Sequence, residues 1–164
     1  MIEIALYEPQ IPQNTGNISR LAVGLDIKLN LIGKLGFSIN DKHLKRAGLD
    51  YWEHLSLQLY NNYQNFESKT LNQRKIFATT KGNKPYFDFD FKKDDIIVFG
   101  SETKGMPIDI LKENLDNTIT IPMIGKVRSL NLSNSVAIVI YFALHQVGYF
   151  NNFNVNTNNA ELFS

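Results

Sequence analysis

The chain has 164 residues with 17 basic and 16 acidic side chains, totals that predict one globular domain. Its net charge of +1 excludes a general nucleic-acid coat protein, which would be strongly basic, so RNA binding would require local basic patches. The chain has no cysteine, which excludes disulfides, thiolate nucleophiles and cysteine zinc sites.

The same totals indicate where the protein works. A cysteine-free chain fits a reducing compartment. The N-terminus has no basic region followed by an apolar run, as a signal peptide would have. No apolar run approaches the roughly 18 residues that a membrane span requires. We therefore expect a cytoplasmic protein that makes no membrane contact.

Strands and helices are predicted in alternation along the first half of the chain. Residues 2–7 alternate between apolar and polar side chains and predict a strand. Residues 18–25 carry an apolar stripe at helical spacing, and we expect Asn14 or Thr15 to cap this first helix. The other elements predicted here are strands over residues 28–32 and 56–60, a short helix over residues 41–47 and a helix over residues 63–71.

The alternation continues in the second half. Short apolar runs over residues 75–79 and 95–99 predict buried parallel strands. Pro107 marks the start of a helix, because proline is favoured in the first helical turn. A further strand is predicted over residues 118–121, and the most periodic helix over residues 132–147.

This order of elements predicts an α/β fold. We expect a single domain over residues 1–150, with a mostly parallel sheet and helices on both of its faces. Residues 151–164 are rich in asparagine and lack periodicity, so they are predicted to form a flexible tail.

Three loops each follow a predicted strand and lead into a predicted helix, at residues 9–20, 99–107 and 121–137. Ligands bind at the carboxyl ends of strands in open α/β sheets. The first loop alone is equally consistent with a capped helix and an exposed arginine. The second matches neither a Walker loop nor a dinucleotide fingerprint. The third has five hydroxyl or amide side chains over residues 129–135, more than capping uses, and predicts a polar pocket.

Together these loops resemble the motifs of the SPOUT class of RNA methyltransferases, and the resemblance covers residues 2–149. It implies a C-terminal trefoil knot that forms the cofactor pocket, and a homodimer with its site at the subunit interface. Local patterns alone would argue against a knot, because knots are rare. The matching segments are Leu6-Tyr7-Glu8-Pro9, Asn14-Thr15-Gly16-Asn17-Ile18 with Arg20, Arg46-Ala47-Gly48-Leu49-Asp50-Tyr51, Thr79-Thr80-Lys81-Gly82, Phe99-Gly100 with Glu102 and Gly105, and Arg128-Ser129-Leu130-Asn131-Leu132-Ser133-Asn134.

The resemblance also implies an activity. Members of the class transfer a methyl group from S-adenosylmethionine to RNA, releasing S-adenosylhomocysteine. Within the class the chain is similar to small members that methylate the ribose 2′-hydroxyl of the wobble nucleotide, position 34, in the anticodon stem-loop of tRNA. No metal is expected, and the three histidines of the chain show no metal-ligand spacing.

Site residues follow from the matched motifs. The resemblance makes Arg20 catalytic, but free arginine is too basic to lose its proton, so we favour a role in stabilising an alkoxide or gripping a phosphate. The general base stays open. Glu102 is expected to orient Arg20 through a charge-assisted hydrogen bond. The implied catalytic set is Arg20, Asn14, Glu102 and Asn131, and the implied cofactor-binding set is Ala78, Gly100, Ile121, Ser129, Met123 and Leu130.

Basic side chains are the candidates for RNA contact. The run at Lys42, Lys45 and Arg46 is the densest, and Arg128 lies inside a matched motif. A charge run on a short helix is equally often a solvated face. Lys81, Lys104 and Lys126 are further candidates.

Three other functions are consistent with parts of the pattern. The same fold could methylate another tRNA or ribosomal RNA ribose. A non-catalytic RNA-binding module could retain the pocket, although the presence of both Arg20 and Glu102 argues against it. An ordinary Rossmann-type methyltransferase would need a glycine-rich loop after the first strand, where this chain has Glu8-Pro9-Gln10-Ile11-Pro12.

Overall fold

The computed structural model describes residues 1–38 and 52–153. Strands and helices alternate as predicted. The strands are β1 (Glu3–Tyr7), β2 (Leu29–Ile32), β3 (Leu57–Tyr60), β4 (Lys75–Ala78), β5 (Lys84–Pro85), β6 (Ile96–Phe99) and β7 (Thr118–Thr120). The helices are α1 (Pro12–Gly24), α2 (Tyr63–Lys69), α3 (Ile108–Glu113) and α4 (Leu132–Gln146), and short 3-10 turns cover Trp52–His54, Tyr86–Asp88 and Leu115–Asn117.

All seven strands join one sheet in the order β3-β2-β1-β6-β4-β7-β5, and every strand pair is parallel. The central strand β6 is buried at all four positions, because a parallel strand covered on both faces must be apolar throughout. The prediction of a mostly parallel sheet is confirmed. Since the strands run the same way, their carboxyl ends meet at one edge.

Helices cover both faces of the sheet, as predicted. One face packs against α1 and α4, which contribute Ile18, Ala22 and Val136 to a shared core. The other packs against α2 and α3 through Phe66 and Leu111. Helices α1 and α4 also pack against each other.

Strand β7 lies between β4 and β5, which follow one another in the chain. The segment joining β4 to β5 therefore has to cross β7. At the crossing, Thr79 N–H donates to the Ile119 carbonyl at 2.9 Å, and Asn83 N–H donates to Thr118 Oγ1 at 2.9 Å. Gly82 lies directly on the β7 backbone, where a Cβ atom would stand 2.2 Å from the Ile119 carbonyl carbon. A knot needs a crossing of this kind; the knot itself stays a prediction.

The structure corrects the start of the first helix. Helix α1 begins at Pro12 with Ile11 as its N-cap, so the prediction of an Asn14 or Thr15 cap is wrong. Asn14 and Thr15 both lie within the first turns of α1, and both are buried. The cap of α4 is the expected kind, because Asn131 Oδ1 accepts a hydrogen bond from Ser133 N–H at 2.8 Å.

A few other predictions differ from the structure or fall outside it. The two-residue strand β5 and the 3-10 turns lack the periodicity that would reveal them. The predicted helix over 41–47 and the tail beyond residue 153 lie outside the described residues. Among the residues that are described, no helix has the length and apolar character needed to cross a bilayer.

Candidate active site

The carboxyl ends of β4, β6 and β7 and the start of α4 enclose a cavity of about 690 Å³. This volume falls in the range of small-molecule sites. The mouth is open, and the wall mixes apolar side chains with backbone and hydroxyl groups. All six residues predicted to bind the cofactor lie in this wall: Ala78, Gly100, Ile121, Met123, Ser129 and Leu130.

The loop after β6 folds tightly back on itself at one side of the cavity. Gly105 N–H donates to the Ser101 carbonyl at 2.9 Å, and the Gly105 backbone has a φ of +68°, which favours glycine. A Cβ atom on Gly100 would stand 2.2 Å from the Gly105 carbonyl carbon. These two glycines let the backbone itself form the wall. The matched motif included both glycines, and the structure shows the close backbone contact that requires them.

Glu102 connects this loop to the start of α1. Its Oε2 atom accepts a hydrogen bond from Gln10 N–H at 2.8 Å, and its Oε1 atom accepts from Ile11 N–H at 3.2 Å. Oε1 also accepts from Asn14 Nδ2 at 2.9 Å. The carboxylate therefore fixes the two residues that precede Pro12, and it lies near the start of α1, where a negative charge is favoured by the helix dipole.

Asn14 carries the connection on to the third loop. Its Oδ1 atom accepts a hydrogen bond from Asn131 Nδ2 at 2.9 Å, and Asn131 Oδ1 accepts from both Ser133 N–H and Ser133 Oγ. We call the series Glu102, Asn14, Asn131 and Ser133 the amide relay. It brings together three of the four predicted catalytic residues, of which Asn14 comes from α1 and Glu102 and Asn131 come from two separate loops. All three also lie in the cavity wall.

Arg20, the fourth predicted catalytic residue, is placed differently. It lies on the exposed side of α1 and is not part of the cavity wall. The hydrogen bonds that Glu102 accepts come from Gln10, Ile11 and Asn14 at the start of α1, and the expected bond from Arg20 to Glu102 stays a prediction. The amide relay thus uses the carboxylate of Glu102, which the sequence analysis expected to orient Arg20.

Basic side chains surround the mouth of the cavity. Arg128, Lys81 and Lys104 belong to its wall, and Lys126 is exposed on the same loop as Arg128. Lys42, Lys45 and Arg46, the other predicted RNA-binding residues, lie outside the described residues. Within residues 1–38 and 52–153, no group of three or more histidine, aspartate or glutamate side chains is placed to hold a metal ion.

Part of the wall was not among the predicted site residues, although Thr79, Thr80 and Ser135 belong to segments that the sequence had singled out. Thr79 and Thr80 follow β4 directly, and Ser135 and Val139 come from the first turns of α4. Thr79 and Thr80 could have been found, because polar residues that directly follow a parallel strand lie at the ligand-binding edge. Val139 reads as an ordinary core position of an amphipathic helix, and nothing local distinguishes it.

Residues 1–141 match the model of the SpoU rRNA Methylase family. The chain belongs to this family. The expectation of a SPOUT methyltransferase is confirmed at the level of family and fold.

Named relatives in the SpoU family are similar over nearly their whole length. The tRNA (cytidine(34)-2′-O)-methyltransferase of Escherichia coli K12 is 42% identical over 150 residues, covering 91% of this chain and 96% of the relative. A Listeria monocytogenes protein that carries the same name provisionally is 47% identical over 149 residues, covering 89% of this chain and 88% of the relative.

Solved structures of SpoU proteins share the fold. One, from a study of 2-OH methylation of C/U34 on tRNA, has a TM-score of 0.86 and 38% identity, covering 91% of this chain and 97% of its own. AviRb from Streptomyces viridochromogenes, solved with AdoMet, has a TM-score of 0.79 at 23% identity, covering 89% and 60% respectively. The second likeness supports the fold alone.

Proposed function

We propose that this protein transfers a methyl group from S-adenosylmethionine to the ribose 2′-hydroxyl of the wobble nucleotide, position 34, of tRNA. The observation that carries the proposal is the cavity at the strand ends, because all six predicted cofactor positions and the amide relay meet there. Relatives named for this reaction support it at 42% identity over 96% of their length.

The cavity fits S-adenosylmethionine in size and chemistry. Its volume of about 690 Å³ suits a nucleoside-sized ligand. Ile121, Met123 and Leu130 offer apolar contact for a base, and Ala78 and Gly100 line the same wall. When bound, S-adenosylmethionine supplies a methyl group already activated by its sulfonium centre.

The residues of this chain then have to position the acceptor ribose. Lys81, Lys104 and Arg128 at the mouth bind phosphates and so orient the RNA, without reading its sequence. Alignment of the hydroxyl with the cofactor supplies much of the rate enhancement. Arg20 stabilises the alkoxide that develops on the ribose oxygen, since its guanidinium stays protonated.

We propose that the active unit is a homodimer in which a second copy supplies Arg20. Arg20 is outside the cavity of its own chain. It lies on the exposed stripe of α1, and α1 packs beside α4. Helix α4 exposes Ile138 and Tyr141 at 37% and 51%. A second copy covering these apolar side chains would also contact the α1 stripe.

A mixed dimer tests this arrangement. One protomer carries Arg20→Ala, and the other carries Ser129→Trp, which fills its cavity from an exposed loop position. Each variant alone is expected to be inactive. Co-expressed, they should regain methyl transfer, because the intact cavity then meets an intact Arg20 from the other copy. Failure to regain activity in a purified mixed dimer would place Arg20 and the cavity in one chain.

The reaction itself is tested by methyl transfer from radiolabelled S-adenosylmethionine to tRNA that lacks 2′-O-methyl groups, mapped by nuclease digestion. We expect label on ribose 34 from the wild type and loss of label from Arg20→Ala. Label on a different tRNA or ribosomal RNA ribose would support 2′-O-methyl transfer but contradict nucleotide 34 of tRNA as the acceptor. Cofactor binding without transfer to any RNA would instead support a binding module. A cytoplasmic location, which fits a tRNA substrate, is part of the same proposal.

A further inference from the structure

Both carboxylate oxygens of Glu102 are engaged in structural hydrogen bonds. They accept from three donors, the backbone N–H groups of Gln10 and Ile11 and the side chain of Asn14. The side chain is half-buried, and the donors are 2.8, 3.2 and 2.9 Å away. A general base must instead approach the proton that it removes.

The charge of Glu102 fixes the direction of every hydrogen bond further along the relay. A carboxylate only accepts, so Asn14 must present its NH2 group to Glu102 and its oxygen to Asn131. Asn131 must then present its own NH2 group to Asn14. Its oxygen is left to cap α4 at Ser133. Asn14 is only 4% exposed, so a mismatched partner cannot readily be replaced by water, and an unpaired amide group there would destabilise the fold.

We propose that Glu102 is a positioning residue that fixes the cofactor-binding loop at residues 129–131 by orienting the amides of Asn14 and Asn131. This inference rests on the proposed function. It refines the role of Glu102, because the carboxylate acts through two amides on the cavity wall. The cofactor site is therefore coupled to the starts of both α1 and α4.

A reciprocal exchange tests the direction of the relay. In Glu102→Gln alone, the single glutamine oxygen cannot accept from all three donors. An oxygen in the Oε1 position turns the glutamine NH2 group against Gln10 N–H. An oxygen in the Oε2 position turns that NH2 group against Ile11 N–H and the NH2 group of Asn14. Flipping both asparagines to relieve this clash would turn an NH2 group toward Ser133 N–H and uncap α4. In Asn14→Asp alone, two carboxylates face each other. Each single variant is expected to weaken cofactor binding by about 10- to 100-fold.

The double variant Glu102→Gln with Asn14→Asp restores the side-chain pairings of the amide relay. The introduced glutamine accepts from Gln10 N–H and donates to the introduced aspartate, and that aspartate accepts from both the glutamine and Asn131. Only Ile11 N–H, whose bond to Glu102 is the longest of the three at 3.2 Å, loses its acceptor. Net charge is unchanged from wild type. We expect the double variant to bind S-adenosylhomocysteine within about 5-fold of wild type, and to regain a KM for S-adenosylmethionine well below those of both single variants. Glu113→Gln, an exposed change on α3 that removes one negative charge, is the matched control and should leave binding unchanged.

Calorimetric titration with S-adenosylhomocysteine and the thermal unfolding midpoint are measured for all five proteins. Recovery of both affinity and midpoint in the double variant supports the relay, including when a single variant fails to fold. Recovery of the midpoint without affinity would assign a purely structural role and overturn the proposal. Affinity as poor as that of the worse single variant would overturn it as well.

The test separates this inference from the proposed function. Wild type that binds S-adenosylhomocysteine but methylates no tRNA contradicts the proposed function, while the calorimetric comparison still decides the relay. Wild type that does not bind S-adenosylhomocysteine contradicts both.

Discussion

At the scale of single residues, one buried ion pair anchors the turn before β6. Asp95 is 1% exposed and accepts hydrogen bonds from Arg74 Nε at 2.8 Å, Arg74 Nη2 at 2.7 Å and Lys92 N–H at 2.7 Å. The hydrogen bond and charge of Asp95 raise the pKa of Arg74. Removing the charge leaves the half-buried Arg74 without its partner.

We expect Asp95→Asn to lower the free energy of unfolding by about 3 kcal/mol. The measurement is urea denaturation, with the exposed Asp116→Asn as a control that should change stability by less than about 0.5 kcal/mol. Equal effects of the two changes would show that the Asp95 pair adds nothing to stability.

A second residue-scale prediction concerns Tyr63, the first residue of α2. Burial, followed by the charges of Glu67 and Glu113, raises the pKa of Tyr63 to about 12. The folded state therefore favours the neutral phenol. The contribution of Tyr63 to the free energy of unfolding is complete below the ordinary pKa of 10 and is lost between pH 10 and 12. Stability measured across this window should fall in wild type and fall less in Tyr63→Phe. Parallel curves for the two proteins would contradict the assignment.

At the scale of elements, the crossing of β7 by the segment after β4 is the most constrained feature. A Cβ atom at Gly82 would stand 2.2 Å from the Ile119 carbonyl carbon and 2.6 Å from Thr120 N, and both are backbone atoms of β7. Gly24, at the end of α1, has nothing within 4 Å of the same ideal atom. The two glycines form a matched pair.

Gly82→Ala is expected to destabilise the fold by about 3 kcal/mol or more, because overpacking here forces strands apart. Gly24→Ala should stay within about 1 kcal/mol of wild type, in the stabilising direction. Chemical denaturation of both variants is the measurement. A tolerated Gly82→Ala would show that the crossing is loosely packed.

The elements also show what the sequence could predict. Strands β1, β2, β4 and β6 and helix α4 were predicted because their apolar patterns are local. The start of α1 was not, because the residues before it are held by Glu102, which lies 92 residues from Gln10. The position of β7 between β4 and β5 was also beyond reach, since no local pattern encodes a crossing.

At the scale of the whole molecule, the site is distributed over loops that only the sheet brings together. The motif resemblance identified Asn14, Glu102 and Asn131, and the structure places them in one relay. The relay's direction could not be read from the sequence, because it depends on which amide atom faces which partner. The separation of Arg20 from the cavity also required the structure.

The proposed homodimer makes a prediction at this scale. Ile138→Glu on α4 should shift the protein to a monomer and reduce methyl transfer at least 10-fold, because a charge is placed in an apolar interface. The control is Leu115→Glu, which changes another exposed apolar side chain, 57% exposed, in a turn away from α4. Sedimentation of both variants is the measurement, and a dimeric, active Ile138→Glu protein would contradict this interface.

The central claim is that the methyl acceptor is one oxygen atom, the 2′-oxygen of nucleotide 34. It is tested most directly by comparing two synthetic tRNAs that differ only in having ribose or 2′-deoxyribose at that nucleotide. We predict methyl transfer to the first and none above background to the second. Equal transfer to both would place the acceptor elsewhere and contradict the account.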